Sequence, residues 1–225
     1  MIKKYPVEVV SVENIEEGIY CVSFKSLTRS FKYNPGQFLH LTIDEFDGVG
    51  QWTESRCFSM QSSPNDSNIK ITYSVVGKYT KRMSDELVVG KKVWLKLPYG
   101  DLFTKEHNKN NSVFIAGGKG ITPFLSLFCD SSFANYQKPV LLFGLRSKKF
   151  NIYKEELQKA KQINPGFSFE LFLEDENGRP IIQEELIKQD NVFFISGPPA
   201  MINHYKQLLL GKGIQSKNII TDDWE

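Results

Sequence analysis

A change of rhythm near residue 100 constrains this chain more than any single motif. From Tyr5 to about Phe103 the apolar runs are short and β-rich: VEVVSV, GIYCVSF, QFLHLTI, RCFSM, IKITYSVV and KKVWLKL. Gly, Asn, Asp and Pro separate them, and one short helix fits Thr80–Leu87, where KRMSDEL runs toward Gly90. Short strands at regular spacing with turn residues between them predict an antiparallel sheet closed into a β-barrel or sandwich. Beyond LPYGDLF, the runs SVFIAG, PVLLFGL, FSFELFL and NVFFISG are continuously apolar, as in strands buried on both faces. Helical stretches lie between them: TPFLSLFCDSS, YKEELQKAKQ, QEELIKQ and PAMINHYKQLLLGKG. A last strand, NIIT, precedes the C-terminus. Such alternation predicts a parallel α/β sheet with right-handed crossovers. The polar segment EHNKNN, residues 106–111, reads as the connector. The expected organisation is therefore a β-barrel domain over residues 1–105 followed by an α/β domain over 106–225.

Composition removes several classes of function. Lys and Arg number 28 against 26 Asp and Glu, a net charge of +2. Nucleic-acid binding needs a basic excess gathered on one face, so none is expected. No apolar run reaches the roughly 18 residues of a membrane-spanning helix. The start, MIKKYPVEVV, lacks the apolar stretch of a secretory signal, so a cytoplasmic location is expected. Cys21, Cys57 and Cys129 lie far apart with no CxxC, too few for the four thiolates of an iron–sulfur cluster. They read as small buried apolar residues of a reducing compartment. His40, His107 and His204 show no metal-ligand spacing, and no metal is expected.

Two turns carry glycine where strand passes into helix. The first is AGGKGITP, Ala116 to Pro123, with Gly117, Gly118 and Gly120. Glycine there allows a tight turn and close approach of a ligand. Thr122 suits a helix cap and Pro123 a first turn, and the free N–H groups of a helix start favour a pyrophosphate. The turn is neither a full GxGxxG nor a GK[ST] loop, so a plain strand–helix turn stays open as an alternative. The second is SGPPAM, Ser196 to Met201, in which Gly197 and Pro198 end another strand. Two such turns can line one crevice at the carboxyl ends of parallel strands.

In the barrel half stands ESRCFSM. On an extended strand Arg56 and Phe58 share one face and Ser59 takes the other. A guanidinium suits a phosphate, an aromatic ring a flat ring system, and a hydroxyl a polar ring atom. Alone these are ordinary strand residues. Their order with other segments changes that reading: PGQFLHL, RCFS, VGKYTKRM, LPYGDLF, AGGKGITP, LLFGLRS and ISGPPAM. In this series the chain resembles the ferredoxin–NADP reductase superfamily of flavoenzymes, from about Val7 to the C-terminus. The family's RxYS, GxxSxxL, GGxGxTP and CGPxxM motifs are each degenerate but specific when they occur together in this order.

The resemblance implies an FAD-binding barrel, with FMN as the alternative, and an NAD(P)-binding α/β domain. Arg56 would hold a flavin phosphate, Phe58 would cover the isoalloxazine ring and Ser59 would donate toward N5. Gly77 and Thr80 fall on GxxSxxL positions and would meet the phosphate. Gly118, Gly120, Thr122, Pro123, Gly197, Pro198 and Met201 would contact the dinucleotide. Ser59 and Ser196 are the catalytic candidates. Phe58 stands where the family has Tyr, Thr80 where it has Ser, Met83 where it has Leu, and Ser196 where it has Cys. Family members often end in an aromatic residue near the flavin, which implies that role for Trp224. LRSKK places Arg146 and Ser147 where NADPH-using relatives hold the 2′-phosphate, so NADPH is favoured over NADH. Glu174 and Asp175 oppose that choice.

The activity implied is a flavin-dependent NAD(P)H oxidoreductase that passes electrons to a separate redox protein such as a ferredoxin, a flavodoxin or an oxygenase component. A free-flavin or ferric-chelate reductase is the enzymatic alternative, and a nucleotide-sensing regulatory subunit the non-enzymatic one.

Overall fold

The computed structural model describes residues 1–16, 18–176 and 178–222. Six strands form the first sheet: β1 (Lys3–Glu16), β2 (Ile19–Ser26), β3 (Phe38–Thr42), β4 (Arg56–Ser59), β5 (Asn68–Ser74) and β6 (Lys92–Tyr99). Alternation along β1 buries Tyr5, Val7 and Val9 and leaves the residues between them on the outer face. The strand order is β4-β3-β6-β1-β2-β5, with every pair antiparallel. Phe58 on β4 and Tyr73 on β5 bring the two edge strands together, their rings 6.0 Å apart, so the sheet is a nearly closed barrel. The helix α1 (Lys78–Glu86) follows β5 and sets Tyr79 and Met83, four residues apart on one face, into the barrel core. It starts two residues before Thr80, earlier than the sequence suggests.

The second sheet holds β7 (Ser112–Gly117), β8 (Val140–Leu145), β9 (Ser168–Leu173), β10 (Val192–Ser196) and β11 (Ile219–Thr221). Its order is β11-β10-β7-β8-β9, all parallel. Helices α2 (Thr122–Phe128) and α3 (Lys154–Ile163) cover one face around Phe114, Phe143 and Phe194. The helix α4 (Pro199–Gly211) covers the other, over Ile115, Phe193 and Ile195. Winding reverses between β7 and β10, whose carboxyl ends sit side by side with Ala116 opposite Ser196. Ligands of open α/β sheets bind at such a switch point.

Two helix expectations need correction. QEELIKQ forms only a 3-10 turn over Glu184–Leu186. The side-chain amide of Asn191 donates to the Leu186 carbonyl, and β10 begins one residue later. A segment that short cannot repay helix nucleation. The helix after AGGKG is preceded by a 3-10 turn over Gly118–Ile121, so Thr122 lies inside the helical run and does not cap it. Its Oγ1 instead donates to the Lys119 carbonyl at 2.9 Å.

Asp130, just after α2, ties the two halves together. Its Oδ2 accepts from Ser63 Oγ at 2.7 Å and from Asn65 Nδ2 at 2.8 Å, both in the β4–β5 connection. Ser126 Oγ donates to the Ser62 carbonyl, and Gln61 Nε2 donates to Glu156 Oε1. This seam joins α2 and α3 to the barrel.

Candidate functional site

A cleft of about 720 Å³ opens on the barrel, lined by Glu54, Arg56, Phe58, Gly77 and Thr80 among others. Arg56 leans over the Tyr79 ring at 4.7 Å, and its Nη2 lies 2.9 Å from Glu54 Oε1. The guanidinium is thus held at the cleft while still half-exposed. Tyr79 is anchored by its own hydroxyl, which donates to the Leu41 carbonyl at 2.9 Å. Burial pushes that phenol up to about 12. The start of α1 faces the same cleft. Thr80 Oγ1 accepts from the Val76 and Gly77 amides and donates to the Gly77 carbonyl, so it shapes the turn. Val76 is 85% exposed at the rim.

Phe58 is half-buried between the cleft and Tyr73, which stacks on Tyr20 at 5.4 Å. The Tyr73 hydroxyl is buried and has no hydrogen-bond partner among the described residues. An unmatched buried hydroxyl costs roughly 1–3 kcal/mol unless something satisfies it. Ser59 ends β4, opposite Phe38.

The two glycine turns meet each other. A Cβ built at Gly120 would stand 2.4 Å from the Ser196 carbonyl oxygen, so glycine is required there by the neighbouring turn. Gly118 has φ +53, and a Cβ there would meet nothing within 4 Å. It is therefore the backbone conformation, not crowding, that selects glycine at this half-buried point of the turn. Met201, in the first turn of α4, folds its sulfur back over Gly117 and Gly197. Ser196 is 2% exposed, and its Oγ donates to Asp222 Oδ2 at 3.0 Å.

At the carboxyl ends of β8 and β9 the opposed coenzyme candidates lie side by side. The Glu174 amide donates to the Leu145 carbonyl and the Asp175 amide to the Arg146 carbonyl. Arg146 is exposed, Ser147 is half-buried, and Glu174 pairs with Arg179 at 3.4 Å. Partial burial, with the Arg146 charge nearby, holds the Lys119 ammonium below its usual range.

Arg56, Phe58, Gly77 and Thr80 therefore share one cleft, while Gly118, Gly120, Thr122, Pro123, Ser196, Gly197, Pro198 and Met201 gather where β7 and β10 end. Trp224 lies outside the described residues. Sequence reasoning missed Tyr73, Tyr79 and Asp222. Only the alternation of IKITYS could have pointed Tyr73 toward the core. Cys57 is exposed, against the expectation of burial, because β4 is an edge strand whose outer face is partly open to solvent. No cluster of three or more His, Cys, Asp or Glu able to hold a metal occurs among the described residues. No described helix is long and apolar enough to cross a membrane.

Comparison with known proteins agrees with this arrangement. The oxidoreductase NAD-binding domain family matches residues 114–207. Methane monooxygenase component C of Methylosinus trichosporium is 30% identical over 152 residues, 66% of this chain and 43% of that protein. The flavohemoprotein of Rhizobium meliloti (strain 1021) is 23% identical over 209 residues, covering 83% of this chain and 51% of its own. The chain thus spans about half the length of these curated relatives. A ferredoxin NADP+ reductase from Neisseria gonorrhoeae, solved with bound FAD and NADP, superposes with a TM-score of 0.81 at 16% identity, covering 98% of each chain. An Amycolatopsis cytochrome P450 reductase gives 0.83 at 20% identity, over 99% of this chain and 70% of that one.

The architecture is thus a nearly closed antiparallel barrel followed by a five-stranded parallel sheet with glycine turns at its switch point, and the family match falls on the parallel-sheet half. The chain shares the fold of these solved reductases, and its second half is similar to the oxidoreductase NAD-binding domain family.

Proposed function

We propose that this protein is a flavin-dependent NAD(P)H oxidoreductase that holds FAD in the barrel cleft and delivers electrons to a separate redox protein. The observation that carries this reading is the cleft itself. It combines a guanidinium, a helix start, a half-buried phenylalanine ring and, beside that ring, a buried tyrosine hydroxyl with no partner among the described residues. That set of groups matches a molecule with both phosphates and a flat polar ring system. When bound, the flavin supplies the capacity to accept a hydride and release single electrons.

Arg56 binds a phosphate, with the first-turn amides of α1 adding their partial positive charge. Phe58 gives the ring system a flat apolar wall, and Ser59 offers a hydroxyl at the end of the same strand. Gly118, Thr122 and Pro123 on one turn, with Gly197, Pro198 and Met201 on the other, receive the dinucleotide. Gly120 keeps the two turns together, and Ser196 stands beside the nicotinamide position. Positioning of this kind is the protein's main share of such catalysis. The monooxygenase relatives favour an oxygenase component as acceptor over a ferredoxin or flavodoxin. Three free cysteines fit a reducing compartment, and the cytoplasm is the proposed location.

The test is an absorbance measurement on the purified chain. A flavin spectrum that bleaches anaerobically on addition of NADPH or NADH is the expected result. Colourless protein that reduces only added flavin would replace the reading by a free-flavin reductase. A chain that neither binds nor reduces flavin would overturn it.

A further inference from the structure

We propose that Cys57 is a redox-modifiable thiol with His40 as its base, at which a small disulfide forms a mixed disulfide in the wall of the cofactor cleft. Cys57 alone of the three cysteines is exposed, and it lies between Arg56 and Phe58 on β4. It is directly opposite His40 on β3, and its Sγ lies 3.5 Å from His40 Nε2. The ring is oriented by a short chain of polar groups. Trp52 Nε1 donates to Ser55 Oγ at 2.9 Å, and Ser55 Oγ lies 3.4 Å from His40 Nδ1. Cys57 Sγ lies 3.7 Å from Nδ1 as well, and in the tautomer with its proton on Nδ1, shared with Ser55, the Nε2 lone pair is free to accept from the thiol. Tyr99, edge-on at 4.7 Å, fixes the ring from the other side.

The charges agree with a base-assisted thiol. Burial raises the Cys57 thiol, against the Arg56 charge, so it stays protonated and needs a base. Burial, with Lys96 nearby, lowers His40, so the imidazole is neutral and able to accept. By contrast Cys21 and Cys129 are buried, and burial pushes Cys129 up to about 11. Reactivity of a thiol depends on access and on a partner that takes its proton, and of the three cysteines Cys57 alone is exposed, with an imidazole beside it.

In the step, Cys57 Sγ bonds to one sulfur of the disulfide and the S–S bond breaks. The thiol proton passes through His40 to the departing thiolate. Cys57 is oxidised to the mixed disulfide, and the added disulfide is reduced to one free thiol. Because Cys57 lines the cleft, the adduct and a cleft occupant exclude each other. That second clause rests on the flavin reading; the thiol chemistry does not.

The experiment treats the full chain, with and without added FAD, with glutathione disulfide, and locates the adduct by mass spectrometry of the wild-type protein. Parallel kinetics with 5,5′-dithiobis(2-nitrobenzoate) count the thiols that react. One thiol, Cys57, should react about tenfold or more faster than the others. Cys57→Ala should remove that fast phase, and His40→Asn should slow it. Bound FAD should protect Cys57. Equal labelling of all three cysteines, an adduct elsewhere, or an unchanged fast phase in His40→Asn would overturn the thiol assignment. Bound FAD that gives no protection would overturn the exclusion. Failure to bind FAD at all, with Cys57 still labelled, would count against the flavin reading alone.

Discussion

Gly120 presses against Ser196 so closely that a methyl group on its Cα would lie 2.4 Å from the Ser196 carbonyl oxygen and 2.6 Å from Gly197 Cα. The obstacle is backbone, so no rotamer change can relieve it. Gly120→Ala should therefore destabilise the fold by about 1–3 kcal/mol, the usual cost of forced overpacking. For a chain of this size that is a fall in Tm of roughly 2–12 °C. Thermal melting checks the stability, and dinucleotide titration checks that separating the turns also weakens binding. Gly118→Ala, at φ +53 with open space around it, should cost less.

Arg56 is held at the cleft by Glu54 and the Tyr79 ring, which leaves its guanidinium poised and part-exposed. Arg56→Ala should weaken flavin binding by about 1.5–3 kcal/mol, the range for a hydrogen bond to a charged group. That is roughly a 10- to 150-fold rise in Kd, read by quenching of flavin fluorescence. Stability should hardly change, because an exposed ion pair such as Arg56–Glu54 contributes little. Flavin retention equal to wild type after dialysis would remove Arg56 from the site.

How far the sequence could be read follows from what kind of signal each part leaves. Strands such as VEVVSV and SVFIAG announce themselves because burial on one or two faces writes its period into the residues. RCFS and AGGKGITP were legible because turn chemistry and side-chain type sit close together in the chain. QEELIKQ misled because helix-forming residues say nothing of the space available, and Asn191 with β10 ends the turn early. Pairings across long sequence separations leave no local trace. His40 beside Cys57, Ser196 beside Asp222, and Ser63 beside Asp130 exist only once strand register and domain contact are fixed.

Asp130 makes the seam between the halves sensitive to acid. Burial works against its charge, but hydrogen bonds from Ser132, Ser63 and Asn65 outweigh it and hold the carboxyl below its ordinary 3.8. A depressed carboxyl contributes stability at pH values above its unfolded pKa and loses it as pH falls through the folded one. The wild-type chain should therefore lose this contribution below about pH 4. Asp130→Ala should lose about 1–3 kcal/mol already at neutral pH, because Ser63 and Asn65 lose their acceptor. Melting curves of both proteins between neutral and acidic pH test this. Parallel curves at every pH would contradict it.

Ser196 offers a sharper test of the catalytic reading. Its Oγ donates to Asp222, so the hydroxyl turns its lone pairs away from that carboxylate. Ser196→Ala should slow flavin reduction by NAD(P)H several-fold more than it raises the dinucleotide Kd. An interaction made mainly in the transition state behaves in this way. Stopped-flow reduction at wild-type speed would leave Ser196 a structural residue of β10.

Coenzyme choice turns on the edge where β8 and β9 end. Arg146 is exposed and makes no ion pair among the described residues, whereas Glu174 is already paired with Arg179 at 3.4 Å. Lys119, on the glycine turn, has its ammonium lowered by partial burial and by the Arg146 charge. Two cations that disfavour each other form a place where an anion is welcome, and a 2′-phosphate would relieve both. The opposing groups are Glu174 and Asp175, whose amides are bonded to the Leu145 and Arg146 carbonyls and so lie at the same edge. NADPH is the expected donor. Arg146→Ala should lower kcat/KM for NADPH about tenfold, by loss of one charge-assisted contact, and leave NADH nearly unchanged. Steady-state reduction with both coenzymes at matched low concentrations decides it. A wild-type protein with the higher kcat/KM for NADH would reverse the choice and make Glu174 or Asp175 the partner of a free 2′-hydroxyl.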